Sequence, residues 1–102
     1  MDELLLLSKA MADKNRLRIV ALIRREKALC VCEICDTLGL SQPLVSRHLR
    51  QLKTAGVLQS RKEGKWALYE ITDTPSALLS AYLEAIKPFE DSLGKTVACS
   101  MK

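Results

Sequence analysis

Histidine is almost absent from this chain: His48 is the only one. With a single histidine and no paired nucleophile and base, little is available to build a catalytic site, so an enzyme is the class least expected. Glycine and proline are scarce too, at four and three residues, which argues against long loops. Long apolar runs are missing. Leu4–Leu7 is too short for the core of a secretion signal and has no basic stretch before it. Ile19–Ile23 cannot cross a bilayer. The expectation is one domain, residues 1–102, cytoplasmic and without a membrane partner. Thiols stay reduced in that compartment. The four cysteines therefore read as ligands, redox sensors or core fillers before they read as disulfides.

What is present fits a small folded domain. Hydrophobic residues make up 48% and charged residues 27%, too apolar a mix for a disordered chain. The formal charge of +4 suits a nucleic-acid partner, although many basic proteins bind none. A chain of 102 residues buries a modest share of its surface, so sharing a core with a second copy would help.

Periodicity predicts a first helix from about Asp2 to Met11, with acids at its positive end. Asp13 can cap a second helix that runs to about Arg25. A short helix follows over Val31 to Leu38, with Gly39 ending it. Ser41 then offers an N-cap, and Pro43 falls in the first turn of a helix reaching about Thr54. From Val57 to Ile71 the pattern turns extended, with Glu63-Gly64 as the turn of a hairpin. Thr74 as cap and Pro75 as first residue would open a last long helix, whose stripe is Leu78, Tyr82, Ile86, Phe89 and Leu93. Pro88 should kink or shorten it. The expected fold is mainly α with a β-hairpin, in the order α-α-α-α-β-β-α: a winged helix-turn-helix.

The pair of helices around Gly39-Leu40-Ser41 has the helix-turn-helix pattern. The second of them would enter the major groove of double-stranded DNA with its N-terminal residues leading. Ser41, Gln42, Ser46, Arg47, Arg50 and Lys53 face away from the apolar side, Val45, Leu49 and Leu52. Gln can pair with adenine and Arg with guanine at base edges, while Ser46 and the helix start suit phosphate. The hairpin tip adds Arg61, Lys62 and Lys65, placed for phosphate or the minor groove. A solvated helix face and a solubilising turn are the plain alternatives. Trp66, Leu68 and Tyr69 invite a base-stacking reading. Core packing is preferred for them, with Ala67, Tyr69 and Ile71 forming one strand face and Trp66 at the hairpin base. His48 reads as a helix-packing or phosphate-contacting residue rather than a ligand.

Cys30, Cys32 and Cys35 lie within six residues. One cysteine would be core by default; three so close read as a ligand site. Three thiolates are soft donors. Arsenite or antimonite takes three sulfurs in a trigonal pyramid. A structural zinc wants a fourth ligand, which would have to be Cys99, His48 or water. At about 100° per residue, Cys32 and Cys35 share a helix face, whereas Cys30 would point roughly 160° from Cys32 if the helix ran through it. One small centre reaches all three only where the backbone near Cys30–Cys32 leaves the helix. Thiols near a helix start are also expected to be acidified, which speeds capture.

The motifs Cys30-Val-Cys-Glu-Ile-Cys35, Leu40-Ser-Gln-Pro-Leu-Val-Ser-Arg-His-Leu49 and Gly64-Lys-Trp66 closely resemble the arsenic-responsive repressors of the ArsR/SmtB family. The similarity runs from about Ala12 to Ile71 and includes Asp13-Lys-Asn-Arg-Leu-Arg18. The resemblance implies a homodimeric winged-helix repressor of its own resistance operon, dimerising through the first and last helices. It also implies that Cys30, Cys32 and Cys35 bind As(III) or Sb(III) and that binding derepresses transcription, with no organic cofactor. Relatives sensing zinc, nickel or cobalt often carry His and Asp ligands on the last helix, and Pro75–Leu93 has no His. Cadmium- and lead-type relatives add N-terminal cysteines, and the first 29 residues have none. Some arsenic sensors use other cysteine positions, which leaves Cys99 open. Two alternatives remain: a repressor switched by a Cys32–Cys35 disulfide, and a structural zinc module for protein contacts.

Overall fold

Five consecutive residues of one helix, Ile19 to Ile23, are buried in the computed structural model, which describes residues 1–96. A helix buried all round at its middle must have neighbours on every side. This is α2 (Lys14–Glu26), and the others assemble on it: α1 (Asp2–Ala10), β1 (Ala28–Cys30), α3 (Val31–Leu38), α4 (Gln42–Thr54), β2 (Leu58–Glu63), β3 (Trp66–Ile71) and α5 (Ala77–Ile86), followed by a 3-10 helix over Lys87–Leu93. α2 touches α3, α4, α5, β1, β3 and the 3-10 helix. Its Ile19, Leu22 and Ile23 are fully buried alongside Ile34, Val45, Leu49 and Leu52, each such side chain contributing about 1.5–3 kcal/mol by leaving water. The architecture is a winged helix-turn-helix.

Local chemistry explains the boundaries. Asp13 accepts from the Arg16 N–H at 3.0 Å, and Ser41 accepts from the Leu44 N–H at 3.4 Å, each satisfying an orphan donor of a first turn. Gly39, at φ 69°, ends α3 in the left-handed region that glycine enters without strain. The hairpin pairs Glu63 with Trp66 across a two-residue loop opening on Gly64, at φ 62°.

Three features differ from the sequence expectation. First, β1 was not anticipated. It pairs antiparallel with β3, giving a three-stranded sheet in the order β1-β3-β2 with Leu29 opposite Tyr69 and Cys30 opposite Leu68. Three residues are too few for a local period, and their partners are distant in sequence. Second, the β3 face divides otherwise. Tyr69 and Ile71 pack on the core, but Ala67 is exposed, and Leu68 is buried on the opposite face beside Cys30. Trp66 lies at the loop end of the hairpin, not its base. Third, the last helix is capped by Ser76, which accepts from the Leu79 N–H at 3.2 Å; Thr74 and Pro75 precede it. As expected from Pro88, the last helix is shortened, and α5 stops at Ile86. Pro88, with no N–H to give, falls in the first turn of the 3-10 helix. The expected stripe is thereby split, with Ile86 buried and Phe89 63% exposed.

The Asp13 carboxyl is held below its usual range, chiefly by the Arg16 backbone N–H; burial opposes this, and the Arg16 charge adds a lesser lowering. A carboxyl with a lowered folded-state pKa stabilises above its unfolded value and loses that stabilisation as pH falls through the folded one. Asp13→Ala is expected to cost about 1 kcal/mol at neutral pH, seen as a melting temperature lower by roughly 4–8 °C. The gap between variant and wild type should narrow as pH falls below the ordinary aspartate value and through the lowered folded-state one. Thermal melts from neutral pH down through that range check both statements.

Candidate functional site

The cysteine segment begins at the end of a strand. Cys30 closes β1 and serves as N-cap of α3, with extended backbone at φ −88° and ψ 166°. Its N–H donates to Glu33 Oε1 at 3.1 Å. Its sulfur faces the Glu33 N–H, so the two residues form a capping box with a cysteine where serine or threonine is usual. Sulfur is a weak acceptor, so the Glu33 arm carries most of that cap. Both residues are buried. The departure from helix that three-sulfur capture requires therefore already exists at Cys30, while Val31 onward is helical.

Cys35 lies in the body of α3, half-buried, and its carbonyl does structural work. It accepts from the Gly39 N–H at 2.8 Å and the Leu40 N–H at 3.1 Å, the two bonds that form the turn into α4. Arg18 Nη2 donates to the Leu38 carbonyl at 3.3 Å and ties this end of α3 to α2. The cysteine segment thus runs between two fixed ends: a strand paired to the wing and the turn of the helix-turn-helix.

The donors suit a thiophilic centre by chemistry but are not assembled around one. Among the described residues, no three His, Cys, Asp or Glu side chains are grouped to hold a metal ion. Cys30 and Cys35 are free thiols. Cys32 is held in a disulfide, with its sulfur 3.5 Å from Asp36 Oδ2; Cys35 is free, so this is not the Cys32–Cys35 bridge of the redox alternative. Cys99 lies outside the described residues. The acidification expected near the helix start does not occur at Cys35. Burial first, and the neighbouring Asp36 carboxylate second, push its thiol up.

On α4, Gln42, Arg47, Arg50 and Lys53 are exposed, Ser46 is half-buried, and Ser41 is exposed at the cap. Val45, Leu49 and Leu52 are buried beneath them. Lys53 Nζ donates to Ser60 Oγ on β2 at 2.8 Å, a direct tie from helix to wing. His48 is buried on the packing side of α4, 6% exposed. It is a packing residue, with Arg16 Nη1 at 3.3 Å from its Nδ1.

The wing is less cationic than its tip suggests. Arg61 Nε reaches Glu70 Oε1 at 2.7 Å and its Nη1 reaches Glu63 Oε2 at 3.3 Å, which lays Arg61 along the sheet. Lys62 and Lys65 are exposed at the tip. Three contributors escaped sequence reasoning. Glu33 had a usable signal, because it stands three residues after an N-cap, but the cap is a cysteine and the capping-box pattern is sought with Ser or Thr. β1 had none. Glu70 as the partner of Arg61 follows only from register.

Residues 13–60 match the family model described as bacterial regulatory protein, arsR family. Over 78 residues, 76% of this chain, the sequence is 44% identical to the arsenic resistance transcriptional regulator ArsR1 of Pseudomonas putida, covering 61% of that protein. Over 66 residues, 65% of this chain, it is 47% identical to the arsenical resistance operon repressor of Escherichia coli, covering 56% of it. The chain thus matches about three fifths of the length of these two relatives. The solved structure of HlyU from Vibrio cholerae superposes with a TM-score of 0.73 at 31% identity, covering 86% of this chain and 91% of that one.

The environment of Cys35 sets its reactivity. Alkylation of Cys35, followed by mass spectrometry across pH, should reach half its limiting rate above the pH of an unperturbed thiol. Asp36→Asn should move that midpoint down by removing a nearby negative charge. A midpoint that Asp36→Asn leaves in place would contradict the assigned cause.

Proposed function

The chain belongs to the arsR family of bacterial regulatory proteins, and on that premise we propose that it is a metalloid-responsive repressor. In this reading a homodimer holds operator DNA through Ser41, Gln42, Ser46, Arg47, Arg50 and Lys53 on α4 and Arg61, Lys62 and Lys65 on the wing. Arsenite or antimonite, captured by Cys30, Cys32 and Cys35, releases it. The relatives are named as transcriptional regulators of arsenic resistance, not as enzymes. The single observation that carries the reading is the placement of the cysteines: their segment is bounded by the Cys30–Leu68 strand pair and by the turn that Cys35 anchors.

The chemistry is ligand exchange without redox change. Each As–S bond that forms replaces an As–O bond, and each thiol proton leaves with a hydroxide as water, giving three waters and a neutral tris-thiolate. Cys32 takes part only after a reducing thiol has opened its disulfide. Arsenite is uncharged near neutral pH, so repulsion of DNA is not the lever and the coupling is conformational. Drawing the Cys30 and Cys32 sulfurs to one centre withdraws Cys30 from its cap and unwinds the first turn of α3. The Cys30–Leu68 pairing and the α3–α4 turn transmit that change to wing and recognition helix. A second copy is part of the reading. Leu4, Leu5 and Leu6 are 52, 52 and 48% exposed on α1, and Phe89 of the 3-10 segment is exposed as well.

The test is a mobility shift under reductant, with a palindromic duplex selected by binding from a random pool. Arsenite should weaken binding by about 5–150-fold. Cys32→Ser with Cys35→Ser should bind the duplex normally and fail to release, and arsenic X-ray absorption should count three sulfur neighbours. Release by the double variant at wild-type arsenite would sink the site assignment. The disulfide at Cys32 gives a redox-switched repressor some support. Peroxide release without arsenite sensitivity would favour that version.

A further inference from the structure

Arg16 occupies a place the switch above does not use. Its guanidinium donates through Nε to the Ala10 carbonyl at 2.6 Å, through Nη2 to the Lys9 carbonyl at 3.1 Å, and through Nη1 to Gln51 Oε1 at 2.8 Å. The same Nη1 stands 3.3 Å from His48 Nδ1. The first two acceptors are carbonyls at the C-terminal end of α1, where the helix runs out of N–H donors of its own; the Lys9 carbonyl also accepts from the Ala12 N–H at 3.2 Å. The last two lie one turn apart on the recognition helix, on the flank next to its buried side. One planar fork, preset by the Asp13 cap at the start of α2, thus joins three helices.

We propose that Arg16 is the positioning residue of the recognition helix and that it grips α4 fully only while His48 is neutral, so that one proton on His48 weakens operator binding. The inference rests on the DNA-binding reading given above. Arginine is always charged and can only donate, so the Nδ1 that faces it must be a bare acceptor and the ring proton must sit on Nε2. Protonation would remove that acceptor and set two cations 3.3 Å apart at a buried position. Asp13, the N-cap of α2, is the nearby carboxylate, and a His48 charge is the last of the causes that lower it. On α4 the flanking cations Arg47 and Arg50 are exposed and solvated. Arg16 is fixed by four bonds, so it cannot retreat from a protonated ring without giving up the α1 carbonyls.

The loss would run opposite to simple electrostatics. An added positive charge on a DNA-binding protein strengthens non-specific binding, whereas an unseated α4 weakens specific binding. With metalloid absent, operator affinity should fall by about tenfold when acidification puts a proton on His48, while affinity for a scrambled duplex holds or rises. His48→Asn keeps an acceptor oxygen near the Nδ1 position and cannot titrate, so it should bind like wild type with the neutral ring and give a flat profile. Arg16→Lys should lose operator discrimination at every pH. Because the chain has one histidine, nitrogen NMR of wild type reads the ring directly, without DNA and without a variant. It should show the neutral ring protonated on Nε2. A neutral ring protonated on Nδ1, or an equal pH slope in wild type and His48→Asn, would overturn the inference. A wild type that binds no duplex at any pH would instead remove the repressor reading and leave the ring measurement to decide the Arg16–His48 contact.

Discussion

The pairing of Cys30 with Leu68 is the constraint on which the arrangement turns. It is one rung in a three-residue strand, yet it fixes where α3 begins, because the residue that completes the sheet also caps the helix. Extended backbone at Cys30 and helical backbone at Val31 are two consequences of one rung. Without it the segment would be a loop and α3 could start a residue earlier or later. The cysteines would then bear no fixed relation to the wing. The same rung buries Leu68 on a sheet face that alternation alone assigns to solvent.

Most of the fold was legible because its signals are local. Asp13, Gly39, Ser41 and Pro43 mark helix ends through their own side chains or backbone preferences, and the edges of α3 and α4 fall where those residues put them. The hairpin was legible from the change of period and from Gly64. What escaped was non-local. β1 exists only through partners about forty positions away, and Glu70 meets Arg61 only through register. The capping box at Cys30 was hidden by an unusual residue type. The cysteine cluster itself was plain in the sequence, but the raised pKa at Cys35, which comes first from burial, was not.

Polar bonds on α2 do a second job beside its buried face. Arg16 holds the end of α1 and the flank of α4, and Arg18 holds the end of α3. Arg24 pairs with Glu90 at 2.7 Å, and Arg25 donates to the Glu90 carbonyl at 2.8 Å, securing the 3-10 segment. Apolar burial gives α2 its cohesion with little directional preference. Charge-assisted bonds from its exposed edges set the angles at which its neighbours lie. A recognition helix needs both, since base edges are read only at fixed orientation.

A cysteine as N-cap carries a cost. Serine would fill that role better, because an oxygen accepts the orphan N–H more strongly than sulfur does. The first turn of α3 is therefore fastened at its start by the Glu33 carboxylate more than by the capping sulfur. A serine in that place would secure the same turn from both sides and leave the sheet-to-helix junction stiffer.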